Sequence, residues 1–136
     1  MDVDALIVKL AGKSIPEIFA EGGEAHFRAL EKEALRSVAG QSGLILAGGG
    51  GIIKDEDNIR LMRHNSVLFF LDRSYELLAQ SDPSRPLSSS PEAVRALYEQ
   101  RLPLYRKYAD HIIPNNGDPA AAANAIWEEF YETHGA

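Results

Sequence analysis

Leu44-Ile45-Leu46-Ala47-Gly48-Gly49-Gly50-Gly51 is the stretch that decides how this 136-residue chain is read. Four apolar residues are too few for a helix and suit a buried strand. The strand runs straight into four glycines. A turn needs one or two, so four after a strand point to a ligand that the backbone approaches closely, its amides donating to ligand oxygens.

Towards the C-terminus the pattern alternates. Asp55 to Arg63 reads as a helix, and Val67-Leu68-Phe69-Phe70-Leu71 is the clearest strand of the sequence. A short helix, Tyr75 to Ala79, leads into a polar loop from Gln80 to Ser90. Ser90-Pro91-Glu92 opens a long helix through Ala109, with a kink expected at Pro103. Ile112-Ile113 lies in a third short strand. Asp118-Pro119 opens a last helix whose Ala123, Ile126, Trp127 and Phe130 share an apolar face.

Towards the N-terminus the periods are helical. Val3, Leu6, Ile7 and Leu10 fall on one face of a helix over 3–11. Ser14-Ile15-Pro16-Glu17 spells a capping box, and the short helix it opens stops at Gly22-Gly23. The next helix carries Phe27, Leu30, Ala34, Leu35 and Val38 and ends at Gly40. Strands flanked by such helices indicate one α/β domain over residues 1–136 with a parallel sheet. Only three strands can be read, few for a sheet covered on both faces.

Composition bounds the function. A hydrophobic fraction of 45% supports a single core. The formal charge of −6 argues against a general nucleic-acid binder, since phosphate backbones select basic surfaces. A few local arginines can still form an anion pocket. With no cysteine, disulfides and thiolate metal sites are excluded. No apolar run approaches the roughly 20 residues of a membrane span, and Met1-Asp2-Val3-Asp4 does not open a signal peptide, so a cytoplasmic protein is the default.

Several groups carry chemistry. Asp2 and Asp4 can point two carboxylates into one cleft, one towards a metal-bound water and one towards a substrate hydroxyl. On spacing alone a helix cap at Asp4, ahead of Leu6 and Ile7, is the stronger reading. Arg28 offers a fork suited to a carboxylate, with Glu31 one turn on to hold it; an ordinary Glu24–Arg28 surface pair is the alternative. Arg85 in the polar loop and Arg101 on the long helix suit a transferring phosphoryl group or an anion, although either alone reads as a solvated side chain. Gly12-Lys13-Ser14 imitates the end of a Walker A loop, but Ile7 stands where the leading glycine belongs. His26, His64, His111 and His134 are scattered and do not have helix-face ligand spacing.

In this order the pieces resemble the shikimate kinase family of P-loop kinases, over essentially the whole chain. Asp2-Val3-Asp4 matches the family's D-x-D, and residues 12–19 match its G-x-S-I-x-E-I-F. Gly23-Glu24 through Phe27-Arg28 to Glu31 matches G-E-x-x-F-R-x-x-E. Gly49-Gly50-Gly51 with Asn58 downstream matches the glycine triplet and its following asparagine. Arg85-Pro86-Leu87 matches the lid, and Arg101-x-Pro103-Leu104-Tyr105 matches R-x-P-L-Y.

The resemblance implies a three-layer, parallel-sheet kinase fold that phosphorylates the shikimate 3-hydroxyl with ATP and Mg2+, for aromatic amino-acid biosynthesis. It implies that Asp4 binds shikimate hydroxyls and helps activate the acceptor, with Asp2 near magnesium. Arg28 and Arg101 would clamp the carboxylate, Phe27 would line the pocket, and Gly49, Gly50 and Gly51 would approach with their backbone. Arg85 would reach from a lid over residues 80–90 to the phosphates, and Asn116 and Pro119 would lie near adenine.

The sequence departs from the family in two ways. The lid loop looks shortened, with Ser88 after Leu87 and Gln80 where a basic residue is usual. The family's first two strands, the P-loop and its helix, which precede D-x-D, have no counterpart in these residues. Catalysis by this chain alone is therefore expected to be negligible, because phosphoryl transfer needs those amides and that lysine. A sheet lacking its middle strand leaves unpaired edges, so the chain is expected to be marginal alone, to move strands, to self-associate or to take a complementing chain. Met1 ahead of Asp2-Val3-Asp4 suits an internal methionine read as a start. A non-catalytic shikimate-binding remnant and one part of a split kinase are the alternatives.

Overall fold

The computed structural model describes residues 1–74 and 90–134. Helix α1 (Val3–Ala11) opens where the Asp4 N–H donates to Asp2 Oδ1 at 3.0 Å. The cap is thus Asp2 and not Asp4, because helical geometry begins at Val3. Gly12, at φ 68°, closes the helix with its N–H on Val8 O. Only a residue without Cβ takes that left-handed conformation readily. Gly12-Lys13-Ser14 is therefore a link between two helices, with Lys13 paired to Glu21.

Ser14 opens α2 (Ile15–Val38) through a complete capping box: the Glu17 N–H donates to Ser14 Oγ and the Ser14 N–H to Glu17 Oε1, both at 3.3 Å. The helical run is broken at Gly23 (φ 71°, ψ −168°), as the glycine pair suggested. Val3 and Ile7 from α1 pack with Ile18, Phe27, Ala34 and Leu35 from α2 and with Ile52 to form the core cluster. The apolar stripes read from the sequence meet here, and their burial outweighs the weak intrinsic stability of a nine-residue helix.

The segment 44–47 differs from its reading as a buried strand. Ala47 forms a parallel bridge to Asp2, made by Val3 N–H on Ala47 O (2.9 Å) and Ala47 N–H on Met1 O (2.8 Å), and the Ile45 carbonyl accepts from the Met1 amino group at 2.7 Å. Leu44, Ile45 and Leu46 are exposed, Ile45 to 86%. An apolar run is buried only where another strand or helix covers it, and among the described residues nothing covers this one.

A 3-10 turn (Gly50–Lys54) follows, and α3 (Glu56–Arg63) starts on Asp55, whose Oδ1 accepts from the Asp57 N–H at 2.9 Å. Strand β1 (Phe69–Asp72) runs parallel to β2 (His111–Pro114), Phe69 opposite His111 and Leu71 opposite Ile113. They are joined through α4 (Pro91–Tyr108), which begins with the Ala93 N–H on Ser90 Oγ and continues through Pro103. Helix α5 (Pro119–His134) packs on β2.

The described residues are mainly helical, with a small parallel sheet of two strands and a separate bridge at Asp2–Ala47. The apolar face expected on α5 is only partly used. Of Ala123, Ile126, Trp127 and Phe130 only Ile126 is half-buried and the others are exposed, Trp127 to 61%, while Ala122 beside them is the buried residue of the helix. Among the described residues no helix is long and apolar enough to cross a membrane. The short helix at 75–79 and the lid with Arg85 lie outside the described residues.

Candidate functional site

The half of α2 after Gly23 carries Phe27, Arg28 and Glu31. Phe27 is buried against Phe19, ring centroids 4.9 Å apart, and the Arg28 guanidinium lies 5.0 Å from the Phe27 ring centre. Arg28 Nη1 donates to both Glu31 oxygens, at 3.0 and 3.2 Å, and its Nε pairs with Glu24 Oε1 at 3.4 Å. Both glutamates considered as its partners thus hold this arginine. Glu31 is fully buried. Loss of solvent raises its pKa, Arg28 opposes that, and Asp4 and Arg101 also act on it. Glu31 therefore lies among three of the residues singled out in the sequence.

The glycine turn is the floor of this arrangement. A Cβ at Gly51 would overlap the Arg28 guanidinium. A Cβ at Gly50 would stand 2.8 Å from the Tyr105 hydroxyl and 3.0 Å from Arg101 Nη1. At both positions a Cβ would displace an arginine side chain, and these arginines come from two different helices. Gly49 is extended and caps the turn. Buried Asn58 holds the turn from below, its Nδ2 donating to Ile52 O at 3.1 Å.

Arg101, on α4, makes no ion pair among the described residues, and its buried Nε has no acceptor there. Two guanidinium groups, one in ion pairs with carboxylates and one without an ion pair among the described residues but within the field of Glu31, thus close on the glycine turn. Such a pair of guanidinium forks suits a carboxylate.

The remaining candidates stand elsewhere. Asp2 is committed to capping α1, while Asp4, half-buried in its first turn, lies within the field of Glu31. Asn116 follows β2, where its Oδ1 accepts from the Ser74 N–H at 2.6 Å, and Pro119 opens α5. Together with the Arg73–Asn115 O bond (2.9 Å), this ties the segments after β1 and β2 into a second group. Arg85 belongs to the residues not described. No cluster of three or more His, Asp or Glu able to hold a metal is found among the described residues. The sequence reading gave Tyr105 no role. Its signal was present, one helical turn beyond Arg101 on the same face.

Comparison with known proteins places the chain in a family. The shikimate kinase family model matches residues 1–131. The chain is 40% identical over 131 residues to the shikimate kinase of Clostridium beijerinckii, covering 94% of this chain and 77% of the relative. It is 40% identical over 132 residues to that of Stenotrophomonas maltophilia, covering 92% and 72%. Among solved structures, shikimate kinase from Acinetobacter baumannii in complex with shikimate superposes with a TM-score of 0.87 at 29% identity, over 98% of this chain and 79% of that one. The Aquifex aeolicus enzyme gives 0.81 at 30% identity, over 97% and 79%. The chain belongs to the shikimate kinase family of aromatic amino-acid biosynthesis.

Proposed function

We propose that these residues form the shikimate-binding part of a cytoplasmic kinase that transfers phosphate from ATP to the shikimate 3-hydroxyl. The observation that carries this is the convergence of Arg28 and Arg101 on the Gly50–Gly51 turn. In this reading the two arginines clamp the shikimate carboxylate, Phe27 lines the pocket, and Gly49, Gly50 and Gly51 present backbone. Asp4 orients the ring hydroxyls and polarises the acceptor. Support for the ligand comes from the similar Acinetobacter baumannii protein, which is in complex with shikimate.

The described residues do not by themselves fit a nucleotide with its magnesium. Gly12-Lys13-Ser14 joins two helices, Asp2 is engaged as a cap, and the sequence contains no G-x-x-x-x-G-K-[ST]. Roles for Arg85 on the lid, Asn116 and Pro119 near adenine and Asp2 near magnesium rest on family membership. The phosphate-binding loop is accordingly assigned to polypeptide outside these residues, in the same protein or in a complementing chain. The edge of Ala47 away from Asp2 and the edge of β1 away from β2 are where its strand would add.

Calorimetric titration with shikimate, with Arg28→Ala as control and ATP added afterwards, tests this. Saturable binding weakened about tenfold or more in the variant, without phosphate transfer, is expected. Equal binding by both proteins would remove Arg28 from the site.

A further inference from the structure

His111 opens β2, and its side chain, 14% exposed, is held between the sheet and α5. On the sheet side its ring stacks on Phe69 of β1, centroids 5.0 Å apart and planes at 23°. On the helix side two residues one turn apart meet its two ring nitrogens. Glu129 Oε1 lies 3.3 Å from Nδ1, and Thr133 Oγ1 lies 3.4 Å from Nε2.

These partners fix how many protons the ring needs. The Thr133 hydroxyl donates its single proton to Glu129 O at 2.8 Å, so it offers only lone pairs to Nε2. An ionised Glu129 likewise offers only lone pairs to Nδ1. A neutral imidazole has one N–H, and in either tautomer it turns a lone pair towards one of these oxygens. Only the imidazolium suits both. Of the charged groups nearby, Asp110 on the same strand adds a second carboxylate that interacts with His111. Arg63 of α3 pairs with Asp110 at 3.2 Å and offsets part of its charge. Phe69, on the β1 side, carries none.

The contact weighs heavily because α5 has few apolar anchors. Ala122 is buried and Ile126 half-buried, whereas Trp127 and Tyr131 are more than half exposed.

We propose that His111 is a pH-sensitive latch: as imidazolium it ties the C-terminal half of α5 to β2 through Glu129 and Thr133, and on losing its proton it loosens that half. The latch rests on these contacts and not on the function proposed above. The fold favours the charged form, so the contribution is full at about pH 5 and lost by about pH 8, the range over which histidine gives up its charge.

Hydrogen exchange of the full chain, read per amide by NMR and corrected for intrinsic rates, tests this. Amides of residues 127–133 should be protected about tenfold more at the lower pH than at the higher, as for one hydrogen bond to a charged group. His111→Gln stays neutral throughout and should remove that dependence, as should Glu129→Gln, and the double variant should do no more than either. His26, His64 and His134 remain in every variant, so any dependence they bring persists and cancels in the comparison. Equal protection of the parent at both pH values overturns the proposal, and so does a dependence that survives in the variants. Should His111→Gln fail to fold, Glu129→Gln, at a position 44% exposed, decides by itself.

Discussion

Arg28 Nη1 lies 3.0 Å from Glu31 Oε1, and only the arginine of this pair retains contact with solvent. A carboxylate taken fully out of water is tolerated here because the guanidinium one turn earlier meets both its oxygens. The net effect still raises the Glu31 pKa above its ordinary 4.5.

The sign of the pH dependence follows. A carboxyl whose folded pKa is raised holds its proton longer in the folded state, so the folded state loses stability as pH rises from 4.5 through the folded value. Glu31→Gln resembles the protonated form and does not titrate. The stability of the parent relative to Glu31→Gln should therefore be greatest at low pH, decline above 4.5 and then level off. Paired thermal melts across a pH series measure this. A difference that grows with pH would contradict it.

Gly51→Ala separates binding from folding. The added Cβ meets only the far end of the Arg28 side chain, which can swing away, and Gly51 is not in the left-handed region. Stability should fall by no more than about 1 kcal/mol. Shikimate affinity should fall about tenfold or more, because the displaced guanidinium no longer meets the carboxylate. Melting and calorimetry on the same preparation check the two halves.

Ile18 and Ile45 contrast two isoleucines of similar appearance in the sequence. Ile18 is fully buried between α1 and α2, and Ile18→Ala should cost about 2–5 kcal/mol in urea unfolding. Ile45 is 86% exposed beside an unpaired strand edge. Ile45→Lys should change stability by less than about 0.5 kcal/mol. In sedimentation it should increase the monomer fraction, since a charge on such an edge disfavours strand-to-strand association.

Much of the local structure was legible because its causes are local. Asp55, Ser90 and Ser14 cap their helices through hydrogen bonds reaching two or three residues ahead, and Gly23 breaks a helix by its own backbone freedom. The cap of α1 was misplaced by two residues, since Asp2 and Asp4 are both good caps and only the backbone at Val3 chooses between them. The segment at 44–47 was legible as apolar, but not as an exposed stretch with a single bridge at Ala47. Burial belongs to the neighbours of a strand, and these lie far away in sequence.

The sequence by itself determined the helix faces, the break at Gly23, the order of the arginine and glycine motifs, and through that order the family. Caps, turns and apolar periods act over a few residues, and motif order is a property of the chain. Only the tertiary structure decided that Arg28 from α2 closes on Gly51 and Arg101 from α4 on Gly50, and that the Tyr105 hydroxyl donates to the Gly50 carbonyl. Those contacts join residues as many as 55 positions apart, Tyr105 to Gly50 being the longest, and are set by how α4 packs against the glycine turn.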